Sequence, residues 1–117
     1  MGQNDSILVS IKKLLGLASN YQEFDSDIII HINSVFSVLQ QLGVGPAEGF
    51  SIASEEETWD NFIGNNKQIN DVITYVYLKV RQYFDPPTNS SILNAQQELI
   101  KELEWRLNVA VDNGSST

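Results

Sequence analysis

The chain contains no cysteine among its 117 residues. Disulfides, thiolate metal ligands and cysteine nucleophiles are therefore excluded together. Stability has to come from apolar packing. Histidine also occurs only once, at His31, and proline three times. Positive charge is scarce: seven basic residues face fifteen acids, for a net charge of −8. The imbalance is concentrated in residues 1–58, with two lysines against eight acids; residues 59–117 carry five bases against seven acids. No basic stripe exists to release counterions from a phosphate backbone, so tight binding to nucleic acid is disfavoured. Aliphatic runs such as Ile28-Ile29-Ile30 are far too short to span a membrane. Met1-Gly2-Gln3-Asn4-Asp5 has neither the basic start nor the apolar stretch of a secretory signal.

What is present fits one ordered domain. Hydrophobic residues make up 42% of the chain, the usual globular share, and the length supports one core. The pattern predicts an all-α protein over 1–117, a small bundle of about four helices. Its ordered body covers about 6–111, with one long connecting loop at 43–66 and a flexible tail at 112–117.

The first helix is expected over Ser6–Leu15, capped by Asp5 or Ser6 and ended by Gly16. The second is expected over Ser26–Leu42, with Asp25 as N-cap. Ile28, Ile32, Val35, Leu39 and Leu42 recur at 4-3-4-3 spacing and define its buried face. Its opposite face, Ile30, Asn33, Ser34, Ser37 and Gln41, has no formal charge. No charged residue occurs between Asp27 and Glu48. A solvated helix face normally carries charge, so another part of the chain or a neighbouring subunit is expected to cover this one.

The loop reads as extended near Phe50-Ser51-Ile52, then as a single turn holding Trp59, Phe62 and Ile63 under a Thr58 cap. Connections this long are usually functional or mobile. The third long helix, Lys67–Phe84, has Ile69, Val72, Ile73, Val76, Val80 and Tyr83 on its core side. Tyr75 and Leu78 fall on the other, as on a central helix. Asp85-Pro86-Pro87 stops it. The fourth, Ser91–Val111, is capped by Asn89 or Ser90, and its expected core stripe is Ile92, Leu99, Leu103, Leu107 and Ala110.

No residue pattern supports catalysis, a cofactor or a metal site. At helical spacing His31 neighbours Asp27, Ser34 and Val35, a poor ligand set, and reads as a structural histidine at the core edge. Asp25-Ser26-Asp27 starts like a calcium loop but lacks its later ligands and its glycine. Gly43-Val44-Gly45-Pro46-Ala47-Glu48-Gly49 lacks the Gly-Lys-Ser/Thr ending of a phosphate-binding loop and reads as a turn.

The informative residues are those on unexpected faces. Trp105 lies about 200° round its helix from Leu103, among Asn94, Glu98, Lys101 and Asn108. It is either an interface anchor or a side chain covered within the monomer. With Tyr75, Leu78 and Ile30 it forms the set of candidate subunit contacts. Glu55, Glu56 and Glu57 are candidates for a channel-facing or partner loop, acting by repulsion or partner choice.

Several segments resemble the head–tail connector (adaptor, or head-completion) proteins of long-tailed bacteriophages. They are Ile7-Leu8-Val9-Ser10-Ile11-Lys12-Lys13-Leu14-Leu15-Gly16, Asp25 to Asn33, Leu42-Gly43-Val44-Gly45-Pro46, Tyr75 to Arg81 before Phe84-Asp85-Pro86-Pro87, and Glu102 to Asn108. The likeness covers about residues 6–111 and consists of packing and turn signatures. It implies a structural virion protein with no active site, present in the host cytoplasm during assembly and then in the virion neck. It further implies a homo-oligomeric ring beneath the portal protein and contact with a stopper or tail-completion protein. Double-stranded DNA would pass through the channel without tight binding, and no membrane is involved. Val111, Asp112 and Asn113 are then candidate portal contacts. The competing reading is a small acidic helical adaptor or regulatory module that binds a host or phage protein.

Overall fold

The computed structural model describes residues 2–64 and 66–115, with side chains as far as Val111. Helix α1 (Ile7–Leu14) begins where Ser6 Oγ accepts a hydrogen bond from the Val9 N–H. This satisfies one of the donors a helix start leaves free. Ile7, Leu8 and Ile11 point into the core. Helix α2 (Asp25–Gln41) buries Ile28, Ile32, Val35, Phe36 and Leu39. Its end is set by Gly43, whose φ of +87° permits two closing hydrogen bonds, Val44 N–H to the Leu39 carbonyl and Gly43 N–H to the Gln40 carbonyl.

The chain then crosses to the single turn α3 (Trp59–Ile63). Thr58 and Asn61 cap it reciprocally: each side chain accepts from the other's backbone N–H. Trp59 is fully buried, and its Nε1 donates to Ser10 Oγ at 3.2 Å. Helix α4 (Ile69–Phe84) stops ahead of Pro86. Helix α5 (Ser90–Ser115) opens with Asn89 Oδ1 accepting from the Ser91 and Ile92 N–H groups.

Helix α4 is the centre of the bundle. Helices α2 and α5 pack on it, and α1 packs on α2 and α4. Buried Val72, Ile73, Tyr75, Val76, Leu78 and Val80 lie around most of its circumference, as the near-continuous apolar pattern predicts. The architecture is the expected all-α bundle of four long helices, with α3 set inside the long connection.

Four expectations change in detail. Tyr83, expected on the core side of α4, is half exposed and stacks on His31 at the edge of the bundle. Asp25 does not cap α2 with its side chain; Phe24 occupies that position. Asp25 instead lies 2.8 Å from Lys12 Nζ and ties the head of α2 to α1. In α5 the inward stripe uses Ile100, Leu103 and Leu107, while Ile92 and Leu99 are exposed. The helix packs on α4 along a line rotated from the one expected, so Ile100 takes the inward place. Helix α5 also continues to Ser115, beyond the expected end at Val111. Ser116, Thr117 and the side chains of 112–115 lie outside the described residues.

The loop at 43–66 is anchored along its length. Asn33 Nδ2 donates to the Ile52 carbonyl at 3.0 Å, and the Ile52 N–H donates to Asn33 Oδ1 at 2.8 Å. Gln40 Nε2 donates to the Ala47 carbonyl. Phe36, Phe50 and Phe62 form one aromatic cluster with centroids 4.5–5.5 Å apart. Backbone hydrogen bonds from Ile7 to Glu57 and from Trp59 to Asp5 join the loop to the N-terminal segment.

Candidate interaction surface

The uncharged face of α2 divides into two parts. Asn33, with Gln40 on the flank beside the face, is occupied by the long loop. Ile30, Ser34, Ser37 and Gln41 remain exposed, with Ile30 at 61%. They recur at 4-3-4 spacing and form a single outward stripe. Ser34 Oγ donates to the Ile30 carbonyl and Ser37 Oγ to the Asn33 carbonyl. The hydroxyl protons are thus already spent on the helix's own backbone.

Trp105 projects from the outer side of α5 with 67% of its surface exposed, the most of any large apolar residue among the described residues. It borders an open cleft shared with Lys67, Gln68, Asp71, Arg106 and Val109. Most of the charges around it are paired: Lys101 lies 3.4 Å from Glu98, and Arg106 lies 3.4 Å from Glu102 and 3.8 Å from Asp71; exposed Lys67, on the same cleft, balances the second acid that Arg106 holds. These exposed pairs contribute little to stability, but the bases Lys67, Lys101 and Arg106 offset the acids Glu98, Glu102 and Asp71 around Trp105.

Tyr75 and Leu78 are buried within this chain, and Leu78 keeps only a small exposed area. Tyr75 Oη donates to Glu104 Oε2 at 2.7 Å, which fastens α5 to α4. Burial, reinforced by the Glu104 carboxylate, pushes the Tyr75 phenol well above its ordinary range. Of the four candidate subunit contacts, Ile30 and Trp105 are thus the two at the surface.

Glu55 and Glu56 are exposed, whereas Glu57 is taken up by the fold. Its carboxylate accepts from the Ala53 N–H at 2.8 Å and from the Ser54 N–H and hydroxyl. Partial burial pushes this carboxyl up. The hydrogen bonds from Ala53, its own N–H and Ser54 outweigh that and hold it below the ordinary value. These hydrogen bonds hold the Ala53–Ser54 turn of the loop against Glu57. Val111 is half-buried and packs against Gly43, where a Cβ would stand 2.9 Å from Val111 Cγ1. It therefore belongs to the body of the domain. The side chains of Asp112 and Asn113 lie outside the described residues.

His31 stacks obliquely on Tyr83 with ring centroids 5.6 Å apart, as a core-edge histidine does. Among the described residues no group of three or more His, Asp or Glu side chains is placed to hold a metal ion. No described helix is long and apolar enough to cross a membrane.

A family model described as phage connector protein matches residues 7–114. The chain belongs to the phage connector protein family. No curated protein and no solved structure matches it. For a connector the relevant site is a surface. Its role is structural, in the joint between phage head and tail. The match runs from the first residue of α1 almost to the end of α5, so it takes in the whole bundle and both exposed patches.

Proposed function

We propose that this connector assembles into a ring in the neck of a long-tailed phage, beneath the portal. There it extends the DNA channel and hands over to a stopper or tail-completion protein. The match to the connector family over the entire helical body carries this reading. Three features agree with it: a tryptophan left on a polar helix face, a charge-free stripe on another helix, and a net charge of −8. Copies in a ring would present an acidic lining that repels passing DNA. Glu55 and Glu56 are the loop residues proposed to face the channel or a partner. The end of α5, with Asp112 and Asn113, is proposed to reach the portal. The protein would act without a cofactor, by geometry alone.

The experiment is deletion of the gene in its phage. DNA-filled heads and finished tails should accumulate unjoined, and purified protein added to the extract should restore joining. Complete, infectious particles formed without the protein would refute the proposal.

A further inference from the structure

The faces of α2 and α5 that point away from α4 are both incomplete. On α2, Ile30, Ser34, Ser37 and Gln41 lie open without a charge among them. On α5, Trp105 stands in solvent within a rim of paired charges. We propose that these two faces are the halves of one contact: Trp105 of each copy seats on the Ile30–Gln41 stripe of the next. The inference rests on the ring reading above and names the surfaces that would build the ring.

Charge limits where copies can meet. Each carries −8, so approach is least opposed where charge is absent or internally cancelled. The α2 stripe meets the first condition and the surroundings of Trp105 meet the second. Desolvation points the same way. Burying a hydroxyl costs free energy when its hydrogen bond is lost. The Ser34 and Ser37 hydroxyls keep theirs, because both donate into their own helix. The stripe can therefore be dried beneath an indole without leaving those donors orphaned. Its side chains also suit the contact: the two serines between Ile30 and Gln41 are small and leave room for a bulky side chain. Ile30 offers apolar contact, and the Gln41 amide can accept from an indole N–H.

The arrangement within the monomer gives the contact a direction. Tyr75 and Asp71 of α4 meet Glu104 and Arg106 of α5. His31 of α2 meets Tyr83 of α4, and Tyr83 falls with Val72, Val76 and Val80 on another side of α4 by the 100° step per residue. Helices α2 and α5 therefore occupy different sides of α4, and their outward faces do not coincide. A contact between unlike patches on one chain is heterologous. It repeats from copy to copy and closes into a ring when the rotation allows.

The absence of cysteine makes the test clean. Ser37→Cys in the α2 stripe and Asn108→Cys, one turn from Trp105, are combined in the full-length protein. Trp105 itself stays in place. Assembly is driven at high concentration or with the portal protein of the same phage, followed by mild oxidation. A ladder of disulfide-linked oligomers is expected, collapsing to monomer on reduction, with neither single-cysteine variant giving a ladder. Ser37→Glu, which sets a charge in the stripe, should weaken self-association about thirtyfold or more, the loss typical of a spoiled interface anchor. Strong dimers from Asn108→Cys alone would mean that the Trp105 face meets itself, which overturns the pairing. Rings seen by electron microscopy without the 37–108 cross-link would overturn the pairing while the ring stands. Absence of rings under every condition would remove both.

Discussion

Lys12 Nζ lies 2.8 Å from Asp25 Oδ1 while the lysine side chain is only 2% exposed. The same ammonium donates to the Ser19 carbonyl at 3.1 Å, so one buried charge ties α1, the 15–24 turn and the head of α2 together. A buried lysine without its partner is costly, and removing either member of such a pair harms the fold more than removing both. Asp25 is partly exposed, which reduces the effect. Lys12→Met should cost about 2–3 kcal/mol. Lys12→Met with Asp25→Asn should cost clearly less than the two single changes added together. Urea unfolding of the four proteins measures this; strict additivity would show that the pair is not coupled.

Tyr75 and Glu104 provide a second tie. With its phenol pushed up by burial and by Glu104, Tyr75 is neutral in the folded state to a higher pH than in the unfolded chain. The stabilisation is then fully present below the unfolded tyrosine value of about 10 and is lost as pH rises beyond it. Thermal unfolding should show an alkaline decline above about pH 10 that Tyr75→Phe flattens. At neutral pH the same variant should lose about 1.5–3 kcal/mol for a hydrogen bond to a charged acceptor.

Leu103 and Trp105 sit two residues apart on α5 with opposite roles. Leu103 is 2% exposed, and Leu103→Ala should destabilise the monomer by about 2–5 kcal/mol. Trp105→Ala should leave monomer stability within about 0.5 kcal/mol and reduce assembly. Circular dichroism melts and sedimentation of both variants separate the effects. A monomer that unfolds on loss of Trp105 would place that residue in the core.

The periodic parts of the fold are the parts the sequence reveals. Ile28, Ile32, Val35 and Leu39 repeat with one helical period, and all four are buried. The apolar residues around α4 likewise announce a central helix. Helix α5 is harder because apolar residues stand side by side at Ile92 and Leu93, and again at Leu99 and Ile100. Either register satisfies local spacing, and only packing on α4 selects Ile100. The partner of Asp25 lies thirteen residues earlier, and no local rule finds it. A hint exists in Lys12, one helical step from Ile11 and four residues after Leu8 on the apolar side of α1. A lysine there requires an acid. The loop holds itself down through Asn33 and Gln40, polar residues on an uncharged helix face. Their spacing signals a cover without saying which segment supplies it. On that same face Ile30 stays open, as Trp105 does on α5.

Binding to double-stranded DNA should be weak at physiological salt, because −8 per copy opposes the phosphate charge and no basic cluster offsets it. A fluorescence titration at about 0.15 M salt should give no saturable binding below the micromolar range. Sub-micromolar affinity would contradict a wall that lets DNA slide.

The most direct measurement of the central claim is the mass of the purified protein across a wide concentration range, alone and with the portal protein of the same phage. Light scattering or native mass spectrometry gives the mass, and electron microscopy of the same sample gives the shape. The account predicts closed oligomers of one defined copy number with an open centre, stabilised or nucleated by the portal. A protein that stays monomeric or stops at a dimer at every concentration, with the portal present, would contradict it.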